Sequence, residues 1–352
     1  MTQPPPPPGW VPPGPPQGGG YGPSNGPSYG QVYGPAVHKP GVVALRPLGL
    51  GDFFDGAFKT IRRNPWAMVG LAALVSTAFM VVPVVITLSL AAAGRLSVDF
   101  GLDATSGSAG SFDVGAITLA TYLGPFFGLF ATVVLNGMLV RVVAEAVLGR
   151  RTTVGEAWAA TRGRLFRLAG LMLLDFVVVV LLLGVPFGLG LVVGARSGLG
   201  AGLAVGVPLG LLGIAAVAFV QVRYFQLAAP ALVLERTGVF ASLRRAGRLS
   251  RGQFWRIFGI LLLTALVAGI VGQVISVPLA LVGTLGPLVF PGTGGALLLV
   301  LSSYLSQIVV GALTTPFTSA VTALQYVDQR IRKEGLDVEL IAASQRGPTG
   351  TR

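Results

Sequence analysis

Long uncharged stretches dominate the pattern of this chain. Residues 257–327 contain no Asp, Glu, Lys, Arg or His, a run of 71. One bilayer-spanning helix needs only about 20 apolar residues, so this run predicts two crossings joined by a turn. Further uncharged runs occupy 64–94, 114–140, 176–195 and 197–222. Each is long enough to cross a hydrocarbon core of about 30 Å. The pattern predicts six spanning helices, near 65–93, 114–147, 168–194, 199–222, 257–283 and 296–327. The fold class is an all-α polytopic membrane protein.

A second, amphipathic pattern precedes every other span. Leu50, Phe53, Phe54, Ala57, Phe58 and Ile61 recur at helical spacing, with Asp52, Asp55, Lys59, Arg62 and Arg63 on the other side. This predicts a helix lying in the membrane interface. Asn64 and Pro65 then suit the start of the first span. The pattern recurs with a Thr153/Glu156 capping box and the stripe Val154, Ala157, Trp158, Thr161 and Leu165. A third copy places Val239, Phe240, Leu243 and Ala246 on one side and Ser242, Arg244, Arg245 and Arg248 on the other, with Ser250 and Gln253 as caps. At the mouths of spans one, three and five an aromatic is followed four residues later by glycine: Trp66/Gly70, Phe166/Gly170 and Trp255/Gly259. Trp66, Trp158, Phe166, Trp255 and Tyr326 are expected to anchor at the interface. The glycines are expected to admit a neighbouring helix. The unit is an interfacial helix plus a spanning hairpin, used three times, about 46–147, 148–234 and 235–334, within a membrane domain of residues 46–340.

Composition narrows the chemistry. Hydrophobic residues make up 53% and charged residues 11%, against roughly 25% charged in soluble domains. There is no cysteine, and the single histidine is His38. Disulfides, thiolate metal sites and histidine-dependent catalysis are thereby set aside, and no cofactor is expected. No cleavable signal peptide is expected, because no basic segment leads into an apolar core near the N-terminus. Residues 1–45 are rich in Pro, Gly and Tyr and are expected to be a disordered cytoplasmic tail. A protein partner with an aromatic groove could dock there. Residues 341–352 are expected to be a second disordered tail.

The net charge of +12 could suggest nucleic acid, but 23 of the 25 Lys and Arg fall in alternate connections and the flanks. Only Arg95 and Arg196 fall in the others, with Asp99, Asp103 and Asp113 nearby. This is positive-inside asymmetry. It predicts a multi-pass protein of the plasma membrane with both termini cytoplasmic, facing anionic lipids and no nucleic acid.

The segments Arg46-Pro-Leu-Gly-Leu-Gly-Asp52-Phe-Phe-Asp55, Leu232-Val-Leu-Glu235 through Trp255-Arg-Ile-Phe-Gly259, and Tyr326-Val-Asp328-Gln-Arg330-Ile-Arg332-Lys333-Glu334-Gly335-Leu336-Asp337 carry a resemblance. Over about residues 46–340 the chain resembles the membrane domain attached to some bacterial glycerophosphoryl diester phosphodiesterases. It is also similar to stand-alone actinobacterial membrane proteins built from that domain. In such phosphodiesterases the chemistry belongs to a separate soluble barrel, whose metal-binding acids and histidines have no counterpart here. The resemblance implies fold and location, not hydrolysis.

Two candidate sites follow. Asp175 is the one acid inside a spanning segment, and such residues are costly to bury. Arg141 is predicted at the same depth in the preceding helix, so an Arg141–Asp175 pair is expected, with Glu145 competing for Arg141. Asn136, Gln221 and Arg223 could complete a polar site, or the pair could only fix packing. A polar lumen lined by Asn136, Asp175 and Gln273 would mark a transport path. The second candidate is the basic helix carrying Arg244, Arg245, Arg248 and Arg251, suited to phosphate headgroups. Asp328/Arg332 and Arg330/Glu334 are read as i,i+4 pairs extending helix six, with Gly335 as its C-terminal cap. Gly198, Gly202, Gly206 and Gly210 read as a close-packing face rather than a phosphate loop. Pro83, Pro186, Pro208, Pro278 and Pro316 are expected to kink their helices.

The sequence favours a non-enzymatic protein that organises lipid or partner proteins at the cytoplasmic face. The alternative is a transporter or channel for a small or amphipathic solute, with Arg141 and Asp175 near the path. An accessory subunit of a lipid-modifying enzyme is a third reading.

Overall fold

The computed structural model describes residues 46–96 and 114–335. The Pro-rich segment of residues 1–45, the connection carrying Asp99, Asp103 and Asp113, and the segment from Leu336 onward lie outside the described residues. Six helical segments are long and apolar enough to cross a membrane. Their cores are α2 (Leu71–Ala92), α3 (Val114–Val147), α5 (Leu165–Ser197), α6 (Leu199–Val220), α9 (Phe254–Val289) and α10 (Thr293–Glu334). The shorter helices are α1 (Leu50–Arg63), α4 (Val154–Thr161), α7 (Ala228–Leu234) and α8 (Val239–Ser250). No strand forms among the described residues, and the all-α polytopic reading holds. At 1.5 Å per residue α10 is about 63 Å long, twice the hydrocarbon thickness. It runs on through the charged segment Asp328–Glu334 and stops where Gly335 takes a left-handed conformation, φ 63°.

The helices pair as the hairpins α2/α3, α5/α6 and α9/α10, and α10 also packs along α1, α2 and α3. The α5/α6 hairpin stands apart. Only 6% of the most apolar window of α5 is buried within the protein, against 50% for α3. Its two helices touch backbone to backbone: a Cβ added to Gly190 would lie 2.6 Å from Gly206 Cα, and one on Gly202 2.6 Å from Gly194 Cα. Without a hydrophobic drive between helices in lipid, such close approach is what holds the pair. Gly198, expected within that face, instead forms the turn between α5 and α6 at φ 90°. The expected kink-site prolines all lie inside helices that continue past them.

The end of the bundle opposite these turns is cross-linked. Arg63 donates to the Gly149 carbonyl at 2.7 Å, Arg164 to Val233 at 2.7 Å, and Lys333 to Arg248 and Arg251 at 3.1 and 2.6 Å. Its centre is Asp328, fully buried. The Asp328 carboxylate accepts from the Leu48 N–H at 2.8 Å, from Arg256 at 2.5 Å and from Arg332 at 3.0 Å. Arg256 and Arg332 both also donate to the Leu48 carbonyl. The backbone just before α1 is therefore gripped on both its polar groups. Phe54 and Phe58 of α1 add ring contacts to Phe317 of α10, at 5.8 and 5.3 Å.

Several local expectations are corrected. Residues 223–235, which the predicted spans leave in the connection between 222 and 257, form a π-helical turn (Gln221–Phe225) and then α7, whose Ala228, Pro230, Ala231, Leu232 and Val233 are buried. The α1 helix packs against α10 and buries Phe53, Gly56, Ala57 and Thr60, while Leu50 is exposed and Phe58 is half exposed beside Phe317. In α8 the sides are partly reversed. Ser242 is buried with its hydroxyl donating to the Val239 carbonyl, whereas Phe240 is exposed. Thr153 and Glu156 make their capping box, at 2.9 and 3.3 Å. Asn64 makes no side-chain cap, and Ser250 bonds Arg223 rather than capping α9. Of the glycines at the span mouths, Gly170 meets a neighbour, with Val239 of α8 3.7 Å from an added Cβ, whereas nothing lies near a Cβ on Gly259 and at Gly70 the close atoms belong to Trp66 itself.

Candidate functional site

Asp175 projects from α5 on the stripe Leu168, Leu171, Met172 and Asp175, spaced i, i+3, i+4 and i+7. This stripe meets a cavity of about 320 Å³ in the bundle. The opposite wall comes from α3, where Val133, Asn136 and Val140 share one face. The π-helical turn after α6 brings in Gln221, and Gln226 follows it; α10 supplies Thr318, Ser319 and Thr322. Turns of this kind often occur at functional sites because they rotate side chains out of the regular helical register.

The polar groups are linked across helices. Gln221 Nε2 donates to Asp175 Oδ1 at 2.7 Å. The Ser319 hydroxyl donates to Asn136 Oδ1 at 2.5 Å. Gln226 Nε2 donates to Thr322 Oγ1 at 3.2 Å and to Gln325 Oε1 at 3.0 Å. A second cavity, about 340 Å³, opens beside the first and is almost wholly apolar. Phe126, Phe130, Phe176 and Val179 line it, and Val133, Met172 and Asp175 belong to both. Asp175 thus stands at the junction of a polar chamber and an apolar cleft.

The expected Arg141–Asp175 pair does not form. Arg141 pairs with Glu145 at 2.8 Å, and both line a separate polar cleft with Arg150, Arg151 and Glu156. Equal depth is not sufficient for contact. Arg141 is about 140° around α3 from Asn136, so the two cannot share a wall. Arg223 also turns away, toward Ser250 at 3.0 Å and over the Tyr224 ring at 5.7 Å. Gln273 is exposed on α9 and is not among the residues lining the cavity at Asn136 and Asp175. Gln226, Thr318, Ser319 and Thr322 were not among the expected site residues. Their signal in the sequence is the cluster of Thr, Ser and Gln between 314 and 325 inside an uncharged span.

Of the basic residues on α8 and at its C-terminal end, Arg244, Arg248 and Arg251 are exposed. Arg245 is withdrawn into the protein, where Glu235 and Glu334 receive it at 2.8 and 2.5 Å. Desolvation acts to lower its pKa, but hydrogen bonds and attraction from Glu235 and Glu334 outweigh it and hold the guanidinium above its ordinary value. Arg245 therefore joins α8 to α10 and is unavailable to headgroups. Arg245→Ala should lower thermal stability in detergent, while Arg244→Ala should stay within about 0.5 kcal/mol of the parent. Equal melting curves for the two variants would contradict this placement. Trp66, Trp158, Phe166 and Trp255 stand exposed near the basic end. Tyr326 is fully buried and donates to Glu235, so it is a core residue rather than an interface anchor.

The profile of a domain of unknown function (DUF7847) matches residues 48–329. The chain belongs to the DUF7847 family. Comparison of this DUF7847 protein with curated proteins and with solved structures found no match in either. The matched region runs from Leu48 to Gln329 and so includes the chamber, the cleft and, of the groups gathered at Asp328, Leu48 and Arg256 but not Arg332.

Proposed function

We propose that this DUF7847 protein is a non-enzymatic plasma-membrane protein that takes an amphipathic molecule from the bilayer into the cavity at Asp175. One observation carries the reading: a chamber lined by amides, hydroxyls and a carboxylate adjoins a phenylalanine-lined cleft on a lightly packed face of the bundle. An intramembrane carboxylate is costly to keep unless it has a use, and a lipid-facing side entrance suits a molecule with a polar head and an apolar body. A scaffold that only organised partners would be expected to have a filled, apolar centre. That role is a second reading, favoured by exposed Arg244, Arg248 and Arg251 beside exposed Phe240, a surface suited to anionic lipid. We also propose that the basic end, with both termini, faces the cytoplasm. Kinship with the membrane domain of glycerophosphoryl diester phosphodiesterases is proposed for architecture alone.

The test is native mass spectrometry of the full chain in nanodiscs. The parent should retain an amphipathic adduct. Ala169→Phe, which fills the cleft, should lose it without unfolding. A parent that carries no adduct, or a folded Ala169→Phe protein that carries the same one, would remove the reading.

A further inference from the structure

The chemistry of the two cavities specifies the head of the molecule they would hold. The chamber's one charged lining residue is Asp175, and no Lys or Arg is among the residues lining either cavity. The two arginines expected at this site point elsewhere: Arg141 pairs with Glu145, and the Arg223 guanidinium reaches the Ser250 hydroxyl. Asp175 itself receives a neutral amide from Gln221, and among the described residues no Lys or Arg pairs with it inside this apolar span. Such a charge is stabilised by an opposite one, and an anionic head placed here would meet repulsion with no cation to offset it.

The cleft supplies what a cation also favours. Phe126 and Phe130 meet edge to face with centroids 5.2 Å apart, and with Phe176 they line the approach to Asp175. Aromatic faces attract cations, more so where water is excluded, and they are apolar surface for an alkyl body. Resting on the amphipath reading above, we propose that the ligand is a lipophilic cation. Its ammonium head pairs with the Asp175 carboxylate in the chamber, and its apolar body lies along Phe126, Phe130 and Phe176. Phosphate-headed lipids are selected against at this site.

The experiment uses the full chain in phosphatidylcholine nanodiscs and three probes that share one pyrene-labelled alkyl chain. Their heads are an ammonium, a hydroxyl and a sulfate. The ammonium probe should bind about tenfold more tightly than the hydroxyl probe, and the sulfate probe least of all. In Asp175→Asn the ammonium probe should fall to the level of the hydroxyl probe. Equal binding of the three heads, or preference for hydroxyl or sulfate, overturns the cation inference while leaving an amphipath site in place. Absence of saturable binding by every probe overturns both. The head series on the parent protein decides the matter even where Asp175→Asn does not fold.

Discussion

Asp328→Ala should be among the most damaging single substitutions in this protein, lowering stability by about 3–5 kcal/mol. The carboxylate is fully buried and receives the Leu48 N–H and two guanidinium groups. Removing it strands Arg256 and Arg332 side by side without their anion and leaves a buried backbone donor unsatisfied. Asp328→Asn keeps an acceptor but not the charge, so an intermediate loss is expected. The damage should also be local before it is global. With Leu48 released, α1 should leave α10 and trypsin should cut after Arg62 or Arg63 earlier than in the parent. Thermal unfolding in detergent and the timing of that cleavage give two separate readings. Parent-like values for both would refute the clamp.

Gly190→Ala and Gly202→Ala should each destabilise, whereas Gly188→Ala and Gly200→Ala in the same two helices should be neutral or stabilising. A methyl on Gly190 or Gly202 meets the backbone of the partner helix at 2.6 Å, and a backbone cannot swing aside as a side chain does. Overpacking of this kind costs about 1–3 kcal/mol, and these are points where the two backbones meet. Nothing lies within 4 Å of a methyl on Gly188 or Gly200, where alanine's better helix propensity contributes up to about 1 kcal/mol. The four melting temperatures should thus split by helix face. A uniform shift across all four would show that the glycine contact does not hold the hairpin.

The spans were legible because continuous apolar length is a one-dimensional signal. Helix pairs within one turn were legible for the same reason: Arg332 meets Asp328 and Arg330 meets Glu334, each at 3.0 Å, and Gly335 caps α10. What the residues did not disclose is three-dimensional. Leu48 and Asp328 are 280 positions apart, and no local spacing links them. Arg141 was expected beside Asp175 on depth alone, whereas contact also requires the right angle around each helix. The segment 223–235 falls between the spans predicted near 199–222 and 257–283, and the charge count places it in a cytoplasmic connection. In the fold Arg223 bonds Ser250, Glu235 receives Arg245 and Tyr326, and the residues between them form a buried helix. That placement also hid Gln226, which lies inside the segment. Of the site itself, Asn136, Asp175 and Gln221 could be named in advance, while Gln226 and the α10 hydroxyls required the packing.

Because α10 carries neither proline nor glycine between them, Thr322 in the chamber wall and Asp328 in the clamp lie about 9 Å apart along one regular helical stretch. A twist or slide at one of them is carried to the other without a joint to absorb it. A disturbance of the grip on Leu48 should therefore be felt in the interior pocket as a displacement of its wall.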